Sequence, residues 1–402
     1  MHGVESRYAW WRLVASTAIS TLGGVGMWSI TVVMPAVQAE FAATRADVSL
    51  SYTTTMLGFG VGSVLAGRLI DLRGAFFTVT VAALVLVLGY VAAAYSPSLL
   101  VFALVQGFLI GIGAAASFVP MMADISHWFD KRRGLAMAIC GAGNYLAGAL
   151  WPKLIDVVMR QHDWRMAYLV VAAICLVGMI PCCLVLRPRA PAHGAAGAPT
   201  TSLHSARSLG LSPLGLQIWL GIAGVGCCVA MALPQAHIVA YCADLGFSTA
   251  RGAEMLSIMT ACGIVSRVAS GWIADRMGGI KTLLLGSTLQ AIALLAYLIS
   301  DTLLALYLFS ALFGLVQGGI IPSYGVIVRE YYPPKEAGVR MGIAVSSTIV
   351  GMALGGWMGG ALVDLTGSYR ASFINAFAWN VLNGILIWWL LIRQNRRQVF
   401  AT

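Results

Sequence analysis

The chain has 402 residues, 59% of them hydrophobic and 10% charged, and carries a formal net charge of +10. That balance excludes a water-soluble globule with a charged surface and describes an integral membrane protein. The cations are spread over short segments between apolar runs, without a basic patch interleaved with aromatics, which argues against a nucleic-acid partner.

Read in chain order, the charge-free runs give the membrane spans. Leu13–Ala39 and Val48–Gly67 supply the first two. The first is far longer than the apolar core of a cleavable signal and is expected to remain as a helix. Fifty residues then pass without a charge, from Gly74 to Ala123. One helix needs only about 20 apolar residues to cross a bilayer. The "AYSPS" at Ala94–Ser98 supplies the turn that divides this run into spans three and four. Gly134–Pro152 and Met166–Leu186 are spans five and six. Between Arg187 and Pro213 the chain is rich in Pro, Ala, Gly and Ser and reads as a linker. Six further runs follow: Leu214–Ala243, Met255–Ala274, Thr282–Ser300, Thr302–Val328, Met341–Val363 and Ala371–Ile392. The expected fold is therefore an all-α membrane protein of twelve helices, with one six-helix bundle in residues 1–189, a cytoplasmic linker in 190–212 and a second bundle in 213–402.

When the loops are assigned alternately to the two sides, eighteen of the 25 Lys and Arg fall on the side of both termini and six on the other. Arg267 alone lies within a span. By the positive-inside rule both termini are cytoplasmic, and a bacterial inner (plasma) membrane is the expected location. All eight cysteines fall in predicted spans without zinc-type spacing and read as small packing residues.

The two halves echo each other at an offset near 204. "GRLIDLRG" (Gly67–Gly74) matches "GWIADRMG" (Gly271–Gly278), pairing Gly67, Asp71 and Gly74 with Gly271, Asp275 and Gly278. The stretch after Pro120 likewise echoes that after Pro322. Two related bundles that rock about a midplane site expose it to each side in turn, so transport is the economical reading.

Twelve spans, a central linker and this loop pair resemble the major facilitator superfamily over essentially the whole chain. The resemblance implies a cytoplasmic gate in which Asp71 acts with Arg73 and Asp275 with Arg276. A narrower likeness rests on "HWFDKRRGLAMAICGAG" (His127–Gly143) and "DWRMAYLVVAA" (Asp163–Ala173), which look like the monocarboxylate porter family and its oxalate:formate relatives. Three positions depart from that family. Leu22 stands where many members have an acid in span one, Ala36 where a lysine often follows the span-one proline, and Gly263 where an aspartate precedes the span-eight arginine. The residues of that family's proton route are thus absent here.

Arg267 lies eight residues before the loop residue Asp275, roughly 12 Å along a helix, close to the middle of a hydrocarbon core about 30 Å thick. A charge there costs at least about 2.5 kcal/mol, and no Asp or Glu lies at comparable depth in any span. Helix C-termini or carbonyls could satisfy the guanidinium. So could a visiting carboxylate, bound bidentately from a watery cavity, and the resemblance implies the latter, since this position matches the family's substrate-binding arginine. One cation complements one negative charge, which points to a small monocarboxylate.

Other candidates line up behind it. Asn144 and Tyr145 are hydrogen-bonding groups in an apolar span, and at least one is expected to face protein or water. His237 reads either as a hydrogen-bonded packing residue or as a proton site, given the usual imidazole pKa of about 6.5. Tyr324 resembles the span-ten tyrosine of the family's pocket, with plain packing as the other reading. Phe118 and Trp28 are aromatic candidates for the lining. The expected partners are a small carboxylate, a proton or exchanged anion, and the bilayer; a monomer is expected, with no cofactor or metal. An enzyme is not indicated, for there is no Gly-x-Ser-x-Gly, paired-His or phosphate-loop motif. The rivals are a proton-coupled exporter of drugs or other amphipathic molecules, whose span-five Gly-Pro-x-x-Gly-Gly is missing from "GAGNYLAGALWP", and a non-transporting receptor or channel.

Overall fold

A computed structural model of the chain describes residues 5–129, 132–188 and 209–399. The expected linker falls mostly outside these residues. The described chain is helical, without a strand. In the first half α1 runs Arg7–Glu40, α2 Arg45–Arg73, α3 Ala75–Ala94, α4 Leu99–Ser126, α5 Arg133–Gln161 and α6 Trp164–Val185. In the second, α7 runs Pro213–Asp244, α8 Thr249–Met277, α9 Gly279–Ala296, α10 Leu303–Tyr331, α11 Pro334–Thr366 and α12 Tyr369–Val399. Eleven of these helices are long and apolar enough to cross a membrane. The remaining one, α5, has 29 residues. The turn expected at Ala94–Ser98 is present, since α3 ends at Ala94 and α4 opens with Ser98 as its cap.

Two spans read as single runs are broken helices. In α4 a wide π-type turn occupies Gln106–Gly111, and the helix stops at Ala115 before resuming at Val119. In α10 it stops at Gln317 and resumes at Ile320. Each resumption carries a proline, Pro120 or Pro322, which lacks the N–H that a continuous helix would need. The breaks sit at equivalent places in the two halves. Glycines make room for them: a Cβ on Gly58 of α2 would lie 1.9 Å from the carbonyl oxygen of Gly107 in α4, and one on Gly314 of α10 would lie 2.1 Å from that of Met259 in α8.

The duplicated loop is reproduced in backbone detail. Gly74 closes α2 at φ 86°, ψ 166°, and Gly278 closes α8 at φ 80°, ψ 166°. A side chain at positive φ is strained, so glycine is the residue for both turns. After the second turn the carboxylate of Glu330 accepts from the backbone N–H of Gly279 at 3.3 Å, which places a negative charge at the N-terminus of α9.

Arg12, just before the first charge-free run, is buried. Its guanidinium donates from Nε and Nη2 to the two oxygens of Asp124 in α4, each at 2.9 Å. The same group also lies over the Trp128 ring, 4.6 Å from its centroid, and donates to the carbonyl of Pro188.

The halves are tied together at one end of the bundle. Arg45 Nη2 at the start of α2 donates to Asp244 Oδ1 at the end of α7, at 2.7 Å. Asp364 near the end of α11 accepts from the backbone N–H groups of Arg45 and Ala46 at 2.9 and 2.6 Å, so the first turn of α2 is capped by the opposite half. Thr53 donates to the carbonyl of Ala353, and Gly356 and Gly360 let α11 approach Tyr52 and Ser49. At the other end, a Cβ on Gly67, Gly271 or Gly342 would meet no described heavy atom within 4 Å. That end is open.

Replacing Gly74 with Ala should lower the melting temperature of the purified protein by the cost of positive φ alone, about 1–2 kcal/mol. The Gly278→Ala drop should be larger, because the new Cβ would also lie 3.1 Å from Glu330 Oε1 and disturb the α9 cap. Equal drops would show that the cap contributes nothing.

Candidate substrate site between the two halves

Arg267 sits on α8, partly buried, on the side facing the first half. Its guanidinium carbon is 5.3 Å from the ring centroid of Tyr145 on α5 and 5.8 Å from that of Phe118 at the break in α4. Three of the residues singled out from sequence therefore meet across the interface, one from the second half and two from the first. The broken helices position them. Beside Arg267, the α10 break is laid on the α8 backbone: Gly318 N–H donates to Ser266 Oγ at 3.1 Å, and a Cβ on Gly318 would lie 2.3 Å from the carbonyl oxygen of Gly263. With α10 on that face of α8, the Arg267 side chain extends toward the first half. Phe118 lies in the corresponding break of α4, where its ring packs on Phe59 at 6.3 Å.

Gly263, one turn before Arg267, has a structural reason. A Cβ there would lie 2.6 Å from Cε1 of Tyr145. The tyrosine ring occupies the space that a side chain at 263 would fill, so the aromatic wall of the site and a residue larger than glycine at this position are mutually exclusive. Among the described residues no carboxylate is ion-paired with Arg267.

Behind this wall, Trp28 is buried and its indole Nε1 donates to the backbone carbonyl of Asn144 at 3.1 Å. Asn144 is also buried. Its Nδ2 lies 3.6 Å from the sulfur of Met27, while its Oδ1 has no hydrogen-bond partner among the described residues. Both residues lie at the packing of α1 on α5, which Gly24 makes close: a Cβ there would meet Ala147 at 2.7 Å and Asn144 Oδ1 at 2.9 Å.

His237 and Tyr324 lie elsewhere. His237 is buried in α7, with Nδ1 3.2 Å from the Tyr369 hydroxyl and Nε2 2.7 Å from the carbonyl oxygen of Gly356. A carbonyl only accepts, so Nε2 carries the proton and a neutral ring accepts at Nδ1 from Tyr369. Both ring nitrogens are thereby engaged at the closed end. Tyr324 is fully buried within the second bundle, where its hydroxyl donates to Asn383 Oδ1 at 3.3 Å, and Asn383 donates in turn to Ser287. Of the four expected gate residues, the side chain of Asp71 lies outside those described. Arg73 lies over Phe77 at 5.4 Å and Arg276 over Trp272 at 3.6 Å, while Asp275 is exposed near the end of α8. The charges that tie the halves, Arg45, Asp244 and Asp364, were not singled out from sequence. The only signal was that each sits next to the end of a span.

Comparison with known proteins agrees with this architecture. The chain matches the Major Facilitator Superfamily over residues 17–304 and 255–401. It is 30% identical to monocarboxylate transporter 13 of Bos taurus over 347 residues, 84% of this chain and 78% of that one. It is 24% identical to the agnestins efflux protein of Paecilomyces divaricatus over 282 residues, 70% of this chain and 64% of that one. In fold it is similar to the crystal structure of a nucleoside transporter, with a TM-score of 0.76 and 14% identity over 96% of this chain and all of the other. The family match spans nearly the whole chain and the fold agrees with it, so the chain belongs to the major facilitator superfamily of membrane transporters.

Proposed function

We propose that the protein moves small organic monoanions, monocarboxylates foremost, by alternating access, with Arg267 as the carboxylate-binding residue. The observation that carries this reading is the Arg267 guanidinium itself, placed between the halves against two aromatic rings and without an ion-paired carboxylate among the described residues. A planar guanidinium suits a planar carboxylate bidentately, and in a water-poor site such a bond is roughly twice as strong as a neutral one. Tyr145 and Phe118 would pack on the substrate's apolar part, and Trp28 and Asn144 would hold the tyrosine's helix in place. The similarity to a monocarboxylate transporter supports the same substrate class.

On this reading both termini face the cytoplasm, as the bias of Lys and Arg suggests, and uptake works across an energised plasma membrane. Bringing one negative charge inward against the potential costs about 2.3 kcal/mol per 100 mV. A proton or an exchanged anion must offset it. Exchange is the reading the site favours, because Tyr145 fills the space beside Gly263 that an acid would need, and both ring nitrogens of His237 are already engaged at the closed end. A second reading is outward movement of a larger amphipathic acid, supported by the similarity to a fungal efflux protein and by the aromatic walls of the site.

Arg267→Gln should insert and express normally and lose carboxylate exchange in liposomes by at least tenfold, the loss of one charge-assisted contact of about 1.5–3 kcal/mol; wild-type exchange by this variant would remove the central assignment. In the wild-type protein, liposomes loaded with unlabelled carboxylate should take up the labelled form, while liposomes without internal anion should take up almost none even under an inward proton gradient. Net uptake into empty liposomes driven by that gradient would replace exchange by proton symport.

A further inference from the structure

The closed end holds a cavity of about 260 Å³, apart from the Arg267 site and formed by the second half alone. Its walls are Tyr241, Tyr297, Tyr369 and Phe373, and its polar groups include Asp244 and Asp301. The rings support one another. Tyr297 and Phe373 stack with centroids 4.9 Å apart at 10°, while Tyr241 meets Tyr369 at 5.2 Å and Phe373 at 5.3 Å, edge to face. The Tyr241 hydroxyl donates to Asp301 at 2.7 Å, which fixes that carboxylate at the rim.

This wall already accommodates a cation. The Arg45 guanidinium, which belongs to the first half, lies 5.9 Å from the ring centroid of Tyr369 and is ion-paired with Asp244. Aromatic faces attract cations through the ring quadrupole, and a nearby carboxylate adds a full charge. Asp244 retains 39% side-chain exposure despite the pair, so one side of it stays accessible. The other cation of the lining, Arg370, is exposed at the rim, where water and salt screen it.

We propose that this cavity is a second ligand site, for a small organic cation of the amine or quaternary-ammonium class, with Asp244 as counterion and the tyrosine and phenylalanine rings as walls. The ligand competes with Arg45 for the same carboxylate and the same ring. Because Arg45 and Asp244 sit on opposite halves, their pair must part when this end opens; an organic cation that takes over Asp244 then favours the parted arrangement. The link to opening rests on the alternating-access reading above, whereas binding does not.

The test uses the full-length protein purified in detergent, choline as the probe, its neutral isostere 3,3-dimethylbutan-1-ol as the control, and titration calorimetry at constant ionic strength. Saturable choline binding is expected, weakened at least tenfold by Asp244→Asn and severalfold by Phe373→Leu, which leaves every charge in place. Arg45→Gln should strengthen it severalfold by removing the competing cation. Arg267→Gln should leave it unchanged, so failure of the carboxylate assignment and failure of this one are read separately. Equal binding of the neutral isostere, binding indifferent to Asp244→Asn, or no saturable binding to the wild type and Arg45→Gln proteins would each overturn the proposal.

Discussion

A guanidinium inside a bilayer must be paired, hydrated or carried to an edge, and this constraint organises the whole molecule. Arg12 meets it with a bidentate carboxylate and an indole face. At the closed end, Arg45 uses a carboxylate from the opposite half. Arg165 is held by Glu40 and by the carbonyls of Ala94 and Ser96. Arg267 is placed differently, for it faces two aromatic rings across the interface. Under the proposed function, the group that offsets this charge is the carboxylate of the substrate.

The paired arginines and Arg267 are linked through the geometry of the helices. Breaks in α4 and α10 follow from glycines and prolines at equivalent points of a duplicated unit, and they lay irregular backbone against the neighbouring helix. Irregular backbone is tolerated at membrane depth only where it is buried in protein or lines a cavity. Here it is buried in protein: Gly318 packs on α8 beside Arg267, and Phe118 turns its ring toward the guanidinium. The same close approach explains Gly263, whose missing side chain is replaced in space by the Tyr145 ring.

The two ends of the bundle differ in how they are held. Ion pairing, capping of one half's helix by the other half's carboxylate, and small-residue contacts close one end. At the other end the duplicated loops carry Asp275 exposed and Arg276 stacked on Trp272. Such an arrangement suits rigid halves that exchange one set of contacts for another, because each set is made of discrete pairs that are either formed or broken.

Sequence alone determined the twelve helices, the duplication and the anomaly at Arg267, because hydropathy is a local property and a charge in an apolar run is visible without knowing its neighbours. It also determined the two glycine turns, since Gly74 and Gly278 recur at one offset and take one conformation. Tertiary structure decided which polar groups meet. Whether Asn144, Tyr145, His237 or Tyr324 turns toward its own bundle or toward the gap depends on the rotation of its helix, which apolar spans on all sides leave unmarked; of these, Tyr145 came to Arg267, while His237 and Tyr324 are held by hydrogen bonds away from it. The pairing of Arg45 with Asp244 and Asp364 joins residues 199 and 319 positions apart. No local pattern encodes such a contact, because it arises only when helices far apart in the chain are brought face to face.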